Sequence, residues 1–366
     1  MILHDQAADL GGQERVLHAM LERYPAAPAL APRFATTNRP AGHGAPWDGR
    51  SRLVGRFGRR RSFLAPLYAH RIRSTNLDDA DIALSITQGG WTLAARLSAG
   101  APHVCYSSGL PQHLYGAVGR YLSDQPGALR PAFAAALPAL RAFDRRLMSR
   151  PDRLIANSSF SARELERIHA RSAEVVHPPV RTEFFTPNGA ERRHFLVVAR
   201  LIAFKRVEVV VEAFRGLDEQ LVVAGAGPRL DSLRRAAPPN VRFAGACDDD
   251  ALLHLYRSSR ALICPSRETF GLVMAEAHAC GIPVIAPAAG GALEVVSRRE
   301  TGILVERTDP RLIAEAVSEL GSAPLSSRAC RESAERFTEA RFTEAMARIL
   351  EEELAARPRL APAPPR

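Results

Sequence analysis

The second half of the chain alternates short apolar runs, rich in β-branched residues, with stretches of helical periodicity. The apolar runs lie at residues 195–199, 221–225, 241–245, 261–265, 284–286 and 303–305. The helical stretches lie at 207–215, 228–236, 248–259, 271–280, 292–297 and 310–320. Strands that alternate with helices of this length form βαβ units, whose parallel sheet is covered by helices on both faces. The pattern therefore predicts an α/β fold with a Rossmann-like layer in this half.

The first half repeats the pattern less clearly. Strand-like runs lie at 82–86, 104–107, 154–156 and 175–177, and the stretch 26–47, rich in proline, glycine and alanine, predicts a loop. A chain of 366 residues is long enough for two domains. The turn-rich Pro187-Asn188-Gly189 predicts their boundary. We expect a first Rossmann-like domain at 1–188 and a second at 189–332. A helix at 333–357 should return to the first domain, and 358–366 should be a disordered tail.

Composition excludes several classes of protein. Hydrophobic residues make up 46% and charged residues 24%, as in ordinary globular proteins. There is no run of eighteen apolar residues, so no membrane-spanning helix is expected. The start, Met1-Ile2-Leu3-His4-Asp5, lacks a basic and an apolar region, so no signal peptide is expected. The five cysteines are scattered without a C-x-x-C pair, which predicts neither a zinc site nor disulfides and favours the cytoplasm.

The chain carries a net charge of +10, which favours acidic partners. No nucleic-acid motif accompanies the charge, so nucleic acid is not an expected partner. The basic segment 50–73 interleaves arginines with apolar residues. It is open to two interpretations: a patch that holds the protein at the anionic inner face of the cell membrane, or a solvated arginine-rich loop.

Among the 49 basic residues, Lys205 is the one lysine. Arginine meets the general need for positive charge, so a lone lysine is explained best where a compact ammonium fits and a guanidinium does not. Phosphate is a ligand for such a site, and Arg200, five residues earlier, offers a second cation. The alternative is a lysine that survives by chance on a solvated helix face.

A second cluster of candidate residues follows the run 261–265. Glu268 precedes a helix whose first N–H groups, at Gly271, Leu272 and Val273, would form a phosphate cradle. Glu276 lies within an otherwise apolar helical stretch, so its carboxylate needs a polar partner, either a sugar diol or a buried arginine. Two carboxylates beside a phosphate cradle, with two cations nearby, match the polarity of a nucleotide sugar.

Two further turns follow predicted strands. The stretch Gly225-Ala226-Gly227-Pro228 lacks the third glycine of a dinucleotide fingerprint and predicts a tight strand-to-helix turn. The run Asp248-Asp249-Asp250 would either bind a metal or cap the following helix.

The ordered set of motifs resembles glycosyltransferase family 4, a family of retaining enzymes of the GT-B fold. That fold has two Rossmann-like domains facing across a cleft. The resemblance rests on Arg200 with Lys205, on Glu268-Thr269-Phe270-Gly271 and on Glu276, eight residues after the first glutamate. Further similar motifs are Ile155-Ala156-Asn157-Ser158, His177-Pro178-Pro179-Val180, Val241-Arg242-Phe243-Ala244-Gly245 and Gly290-Gly291-Ala292-Leu293-Glu294. The Pro178-Pro179-Val180 turn and the surroundings of Lys205 look most like mannosyltransferases of polysaccharide assembly.

The resemblance implies specific roles. Arg200 and Lys205 would bind the donor pyrophosphate, Glu268 the transferred sugar and Glu276 the ribose diol. Backbone amides of Leu272 and Val273 would contact phosphate. In the first domain, Gly11-Gly12-Gln13-Glu14 resembles the glycine loop that lies beside the donor phosphates and the acceptor. The family needs no metal or other cofactor, because the cations stabilise the leaving diphosphate.

The chain departs from the family after the run 104–107. Relatives carry a histidine there that approaches the transferred sugar, whereas Ser108 occupies the position here. His113 or His103 would substitute, or would be structural.

The expected function is transfer of a hexose, mannose from GDP-mannose, to a lipid-linked or glycan acceptor. The alternatives are a non-catalytic nucleotide-sugar-binding protein and a nucleotide-sugar epimerase on the same fold.

Overall fold

The computed structural model describes residues 1–5, 11–30, 69–70, 72–73, 77, 80–88, 90–97, 100–116 and 118–356. The chain forms two compact units. Unit 1 comprises Met1–Gly116, Gly127–Pro179 and Ala340–Arg366. Unit 2 comprises Ala117–Pro126 and Val180–Glu339. The chain therefore passes between the units four times, and the short segment 117–126 from the first half belongs to unit 2.

Unit 1 is a parallel six-stranded sheet with helices. Its strands are β1 (Ile2–His4), β2 (Ala29–Leu30), β3 (Ala83–Thr87), β4 (His103–Ser107), β5 (Arg153–Ala156) and β6 (Glu174–Val175), in the spatial order β2-β1-β3-β4-β5-β6. Its helices are α1 (Gly12–Arg23), α2 (Gln112–Tyr115), α4 (Arg130–Met148), α5 (Ser159–His169) and α13 (Glu339–Ala356). Single 3-10 turns lie at Trp91–Ala94 and Gly127–Leu129. The helix α3 (Val118–Ser123) lies in the segment that belongs to unit 2.

Unit 2 is a second parallel six-stranded sheet. Its strands are β7 (His194–Val198), β8 (Leu221–Ala224), β9 (Val241–Gly245), β10 (Ser259–Ile263), β11 (Val284–Pro287) and β12 (Gly302–Val305). Its helices are α6 (Val207–Ala213), α7 (Leu230–Ala236), α8 (Asp249–Arg257), α9 (Leu272–Ala279), α10 (Ala292–Val295), α11 (Pro310–Ser322) and α12 (Ser327–Ala334). Single 3-10 turns lie at Ala203–Lys205, Phe214–Gly216 and Glu335–Phe337.

The strand order of unit 2 fixes where a ligand binds. The order is β12-β11-β10-β7-β8-β9, which is the 3-2-1-4-5-6 order of a Rossmann sheet read from the other edge. The order reverses between β7 and β10, which lie side by side. Ligands of such sheets bind beyond the carboxyl ends of the strands at this reversal. The loops that follow β7 and β10 therefore form the expected binding crevice of unit 2.

Each sheet has an apolar core on both faces. In unit 2, Leu196 and Leu262 belong to the core on one face, and Phe195 and Ala261 to the core on the other. This alternation is what a parallel sheet covered on both faces requires. In unit 1, Phe342 of α13 packs edge-on against Tyr106 of β4, with ring centroids 5.6 Å apart. The carboxyl-terminal helix therefore completes the core of unit 1.

The sequence predicted the α/β class and the strands of unit 2 closely, and β9 lies at the predicted residues. Several expectations differ from the structure. The long stretch of unit 2 begins at Val180 rather than at residue 189, and unit 2 also includes 117–126. The helix expected from 333 is interrupted, because Thr338 is extended and pairs with Val180 where the chain crosses between units. The stretch expected to be a loop contains β2. Of the basic segment 50–73, residues 50–68 and 71 lie outside the described residues, as does the tail 358–366.

Candidate functional site

The first part of the candidate site is the loop after β7. Arg200 is exposed on this loop. The loop then forms the 3-10 turn Ala203–Lys205, and the Lys205 ammonium points to the neighbouring loop after β10. Its Nζ donates to both carboxylate oxygens of Glu268, at 2.6 and 2.8 Å. The lone lysine is therefore held in an ion pair and does not lie on a solvated helix face.

The second part is the loop after β10, which carries Glu268. The Glu268 side chain is 15% exposed and also accepts a hydrogen bond from the Ser266 hydroxyl. Burial alone would raise the pKa of this carboxyl, but the Lys205 ammonium, the Ser266 hydroxyl and the charge of Arg200 outweigh burial and lower it. Glu268 is therefore a carboxylate at neutral pH, which can accept hydrogen bonds from hydroxyl groups.

The third part is the amino end of α9, three residues beyond Glu268. Gly271 precedes the helix with φ 96 and ψ 62, a left-handed conformation that glycine adopts readily. Leu272 and Val273 begin the helix and are half-buried. The first N–H groups of a helix have no acceptor within it and favour anions. The turn that carries Lys205 and this helix start thus face the same crevice, joined by the Lys205–Glu268 pair.

Gly291 packs against the backbone of the loop that carries Glu268. Its N–H donates to the Glu268 carbonyl at 2.9 Å. A Cβ at Gly291 would lie 2.2 Å from the Phe270 carbonyl oxygen and 2.4 Å from its Cα. Only glycine allows the two backbones to approach this closely. The sequence marked Gly290-Gly291 as a motif but gave it no role, and the structure shows that it holds the loop of the site.

Glu276 lies on α9, about one turn into the helix, and is 3% exposed. The Tyr256 hydroxyl of α8 donates to its Oε2 at 3.0 Å. One partner of this carboxylate is thus a tyrosine, which the sequence did not offer. Tyr256 leaves capacity at the carboxylate, because two oxygens can accept about four hydrogen bonds. A role toward a ribose diol stays a prediction.

The acidic run 248–250 was predicted either to bind a metal or to cap the following helix. In the structure, Asp248 caps that helix. The Asp248 side chain accepts from the Ala251 N–H at the start of α8, at 2.9 Å. Asp249 forms an ion pair with Arg181 at 2.5 Å. Within the described ranges, no three histidine, cysteine, aspartate or glutamate side chains gather as metal ligands.

In unit 1, Gly11 and Gly12 lie at the amino end of α1. The Gly11 N–H donates to the Glu14 carboxylate at 3.1 Å, and Glu14 is buried. This contact fixes the start of the helix. The residues before Gly11, at 6–10, lie outside the described part. The predicted role of both glycines at the donor phosphates stays a prediction.

Ser108 and His113 follow β4, also in unit 1. The Ser108 N–H donates to the Thr87 carbonyl at 2.9 Å, and its hydroxyl has no hydrogen-bond partner among the described residues. His113 packs edge-on against Phe133, with ring centroids 6.4 Å apart, and burial lowers its pKa to about 4. The packing favours the structural interpretation of His113. Ser108 follows the last residue of β4, at the carboxyl edge of the sheet, and its role toward a sugar stays a prediction.

The structure also favours the structural interpretation of His103. It is the first residue of β4, so it lies at the amino end of the strand, away from the ligand-binding edge. Its Nε2 lies 2.7 Å from the Ser85 hydroxyl, and the ring is buried within the sheet.

Comparison with known proteins identifies the family of this chain. A family model described as Glycosyltransferase Family 4 matches residues 10–184, and one described as Glycosyl transferases group 1 matches residues 181–337. The two matches follow each other along the chain and together cover both units. The chain belongs to glycosyltransferase family 4. As a family 4 chain it has the GT-B fold, with two Rossmann-like sheets.

The curated relatives that match this family 4 chain are glycosyltransferases by name. It is 32% identical over 228 residues to a D-inositol 3-phosphate glycosyltransferase of Thermomonospora curvata, covering 51% of this chain and 53% of the relative. It is 31% identical over 238 residues to the D-inositol 3-phosphate glycosyltransferase of Mycolicibacterium smegmatis, covering 57% and 55%. The chain thus spans about half the length of the curated relatives it matches.

Several solved structures match nearly the whole chain. HepE of Anabaena, in complex with UDP and glucose, matches with a TM-score of 0.72 at 17% identity, covering 96% of this chain and 98% of that one. The sucrose-phosphate synthase of Thermosynechococcus elongatus matches with a TM-score of 0.73 at 18% identity, covering 97% and 99%. At this identity the likeness establishes the fold alone.

Proposed function

We propose that this chain is a glycosyltransferase that moves a hexose from a nucleoside-diphosphate sugar to a hydroxyl group of an acceptor, with retention of configuration. The observation that carries the proposal is the Lys205–Glu268 pair at the sheet reversal of unit 2, beside the amino end of α9. Cationic side chains and helix N–H groups suit a diphosphate, and a carboxylate that stays ionised suits the hydroxyls of a sugar.

The chemistry requires charge stabilisation more than a protein nucleophile. The bond between the anomeric carbon and the β-phosphate oxygen breaks, and the acceptor oxygen bonds to the same face of the anomeric carbon. The acceptor proton passes to the leaving phosphate oxygen. Negative charge grows on the diphosphate, where Arg200, Lys205 and the first N–H groups of α9 would stabilise it. This arrangement supports a mechanism without a metal ion or other cofactor.

The donor sugar needs direct testing. The Pro178-Pro179-Val180 turn and the surroundings of Lys205 suggested a mannosyltransferase. Val180 is buried and pairs with Thr338, where the chain crosses between the units. We keep mannose from GDP-mannose as the proposed donor, and UDP-glucose is its first competitor, since the HepE structures hold UDP, glucose or UDP-glucose.

The acceptor is proposed as a lipid-linked or glycan hydroxyl. A second candidate is a phosphorylated cyclitol, favoured by the named activity of the relatives, the transfer of a glycosyl group to D-inositol 3-phosphate.

The test is a panel of GDP- and UDP-sugars with these acceptors, read by product mass and anomeric NMR. We expect a new α-glycosidic bond when an α-linked donor is used. A β-linked product would contradict retention. Free nucleotide with an epimerised sugar would identify an epimerase. Tight donor binding without turnover under every acceptor would identify a non-catalytic binding protein.

We also propose that a basic depression of unit 1 holds the protein at an anionic membrane. No described helix is both long and apolar enough to cross a bilayer. The depression has a volume of about 580 Å³ and is lined by Arg73, Arg96, Arg146 and Arg150 around Phe143 and Leu147. Among the described residues, no carboxylate lines it. Four guanidinium groups around apolar side chains suit an anionic headgroup at the cytoplasmic face.

Flotation with phosphatidylglycerol vesicles at low salt tests this surface. We expect wild-type protein to float with the vesicles. The double variant Arg96→Ser, Arg146→Ser should remain in the bottom fraction of the gradient. The control variant carries Arg234→Ser and Arg235→Ser, the same change of charge on exposed residues of unit 2. Equal flotation of the two variants would show that total charge, not this depression, governs binding.

A further inference from the structure

The segment 117–126 is the part of the first half that belongs to unit 2. It follows α2 and contains α3, which ends at Ser123. The next residue is Asp124, whose side chain is 13% exposed. The residues on either side of the segment belong to unit 1. A local contact must therefore explain why this short piece of chain packs with unit 2.

Asp124 supplies that contact with both of its carboxylate oxygens. Its Oδ2 accepts from the Ala203 N–H at 2.7 Å, and its Oδ1 accepts from Arg229 Nε at 2.9 Å. A second guanidinium nitrogen of Arg229 donates to the Ser123 hydroxyl at 3.0 Å. A carboxylate that accepts from a guanidinium and an amide makes strong, charge-assisted hydrogen bonds.

The Ala203 N–H begins the turn that carries Lys205. The turn Ala203–Lys205 has Ile202 at its cap position, and no side chain of the turn caps it. The first N–H groups of a helical turn need an acceptor from outside it. Asp124 provides this acceptor from a segment about eighty positions earlier in the chain.

Arg229 extends the contact to the loop after β8. The Arg229 N–H donates to the Leu201 carbonyl at 3.1 Å, and the Leu201 N–H donates to the Ala226 carbonyl at 2.9 Å. The loops after β7 and β8 are thus bonded to each other, and Asp124 binds both. The Arg229 guanidinium balances the charge of the Asp124 carboxylate. Lys205 is therefore not needed as a partner for Asp124, and it pairs with Glu268 instead.

We propose that Asp124 is a positioning residue for Lys205: it fixes the turn from which the ammonium reaches the donor diphosphate. It acts through the Ala203 backbone and through Arg229, and does not itself contact the donor. The expected effect of Asp124 on the transfer rate rests on the proposed function. Its effect on the position of the turn does not, and can be measured in a protein without activity.

The structural test uses the single lysine of the chain. Lysine-selective ¹⁵N labelling gives one backbone amide resonance, that of Lys205, because the chain has no other lysine. We expect Asp124→Ala to shift or broaden this resonance. Asp124→Asn, which keeps an acceptor for the Ala203 N–H, should move it less. The control Asp218→Asn removes the same charge at an exposed site of unit 2 and should leave it unchanged. An unchanged resonance in Asp124→Ala would overturn the proposal.

The kinetic test asks whether Asp124 acts through Lys205. We expect Asp124→Ala to lower donor kcat/KM about tenfold, the typical worth of one strong hydrogen bond, with the acceptor KM unchanged. The effects of two substitutions that act through the same group are not additive. In a chain that already carries Lys205→Ala, we therefore expect Asp124→Ala to lower donor kcat/KM by less than about a further twofold. Fully additive losses would overturn the proposal. A wild-type chain without turnover would instead refute the proposed function, and the resonance of Lys205 would still decide the role of Asp124.

Discussion

The Lys205→Ala variant is expected to lose about 100-fold or more of its transfer rate, because removing one preorganised group that stabilises developing charge has effects of this size. The change also leaves the Glu268 carboxylate, which is 15% exposed, without its cation. Breaking such a pair from one side costs up to about 3 kcal/mol of the free energy of unfolding. Steady-state transfer and thermal unfolding measure the two effects.

Three variants separate catalysis from stability. The double variant Lys205→Ala, Glu268→Gln removes the unpaired charge, so it should regain thermal stability but no activity. Lys205→Arg keeps the charge but widens the cation, and should stay folded with reduced activity. Arg193→Ala removes an exposed cation of unit 2 and should change neither. Wild-type transfer by Lys205→Ala would contradict the role given to the lysine.

The Gly291→Ala variant is expected to lose stability and donor binding together. The new Cβ would lie 2.2 Å from the Phe270 carbonyl oxygen, so one of two backbones must move. Overpacking of this kind costs about 3 kcal/mol, which corresponds to a fall of roughly 5–10 °C in the melting temperature. The loop that moves carries Glu268, so affinity for a nucleotide sugar should fall as well.

Gly216→Ala is the matched control, because a Cβ there meets no atom within 4 Å. Its melting temperature and donor affinity should stay close to wild type. A Gly291→Ala variant with unchanged melting temperature would show that the two backbones have room to separate. A destabilised variant with wild-type donor affinity would show that the Glu268 loop does not need this support.

The sequence predicted the parts of the fold that depend on local pattern. In unit 2, apolar runs alternate with helices, and residues 241–245 were predicted for the strand that became β9. Turn chemistry also indicated a helix cap in the run Asp248-Asp249-Asp250, because an aspartate before a helix often accepts from its first N–H groups, and Asp248 takes that position. The association of Lys205 with the Glu268 loop followed from the rule that ligand-binding loops leave the same edge of a parallel sheet.

The sequence did not predict the features that depend on distant contacts. Nothing local marks segment 117–126 as part of unit 2, because the partners of Asp124 lie at Ala203 and Arg229. The break at Thr338 likewise depends on its pairing with Val180. Spacing along the chain also could not show that Lys205 pairs with Glu268, or that Tyr256 pairs with Glu276. These pairs form only when separate loops or helices of the folded unit meet.

A crystal structure of the chain with GDP or UDP tests the central claim most directly. The account predicts that the two phosphates lie within hydrogen-bond distance of Arg200, Lys205 and the backbone N–H groups of Leu272 or Val273. A nucleotide held at another edge of the unit 2 sheet, with its phosphates away from these groups, would contradict it.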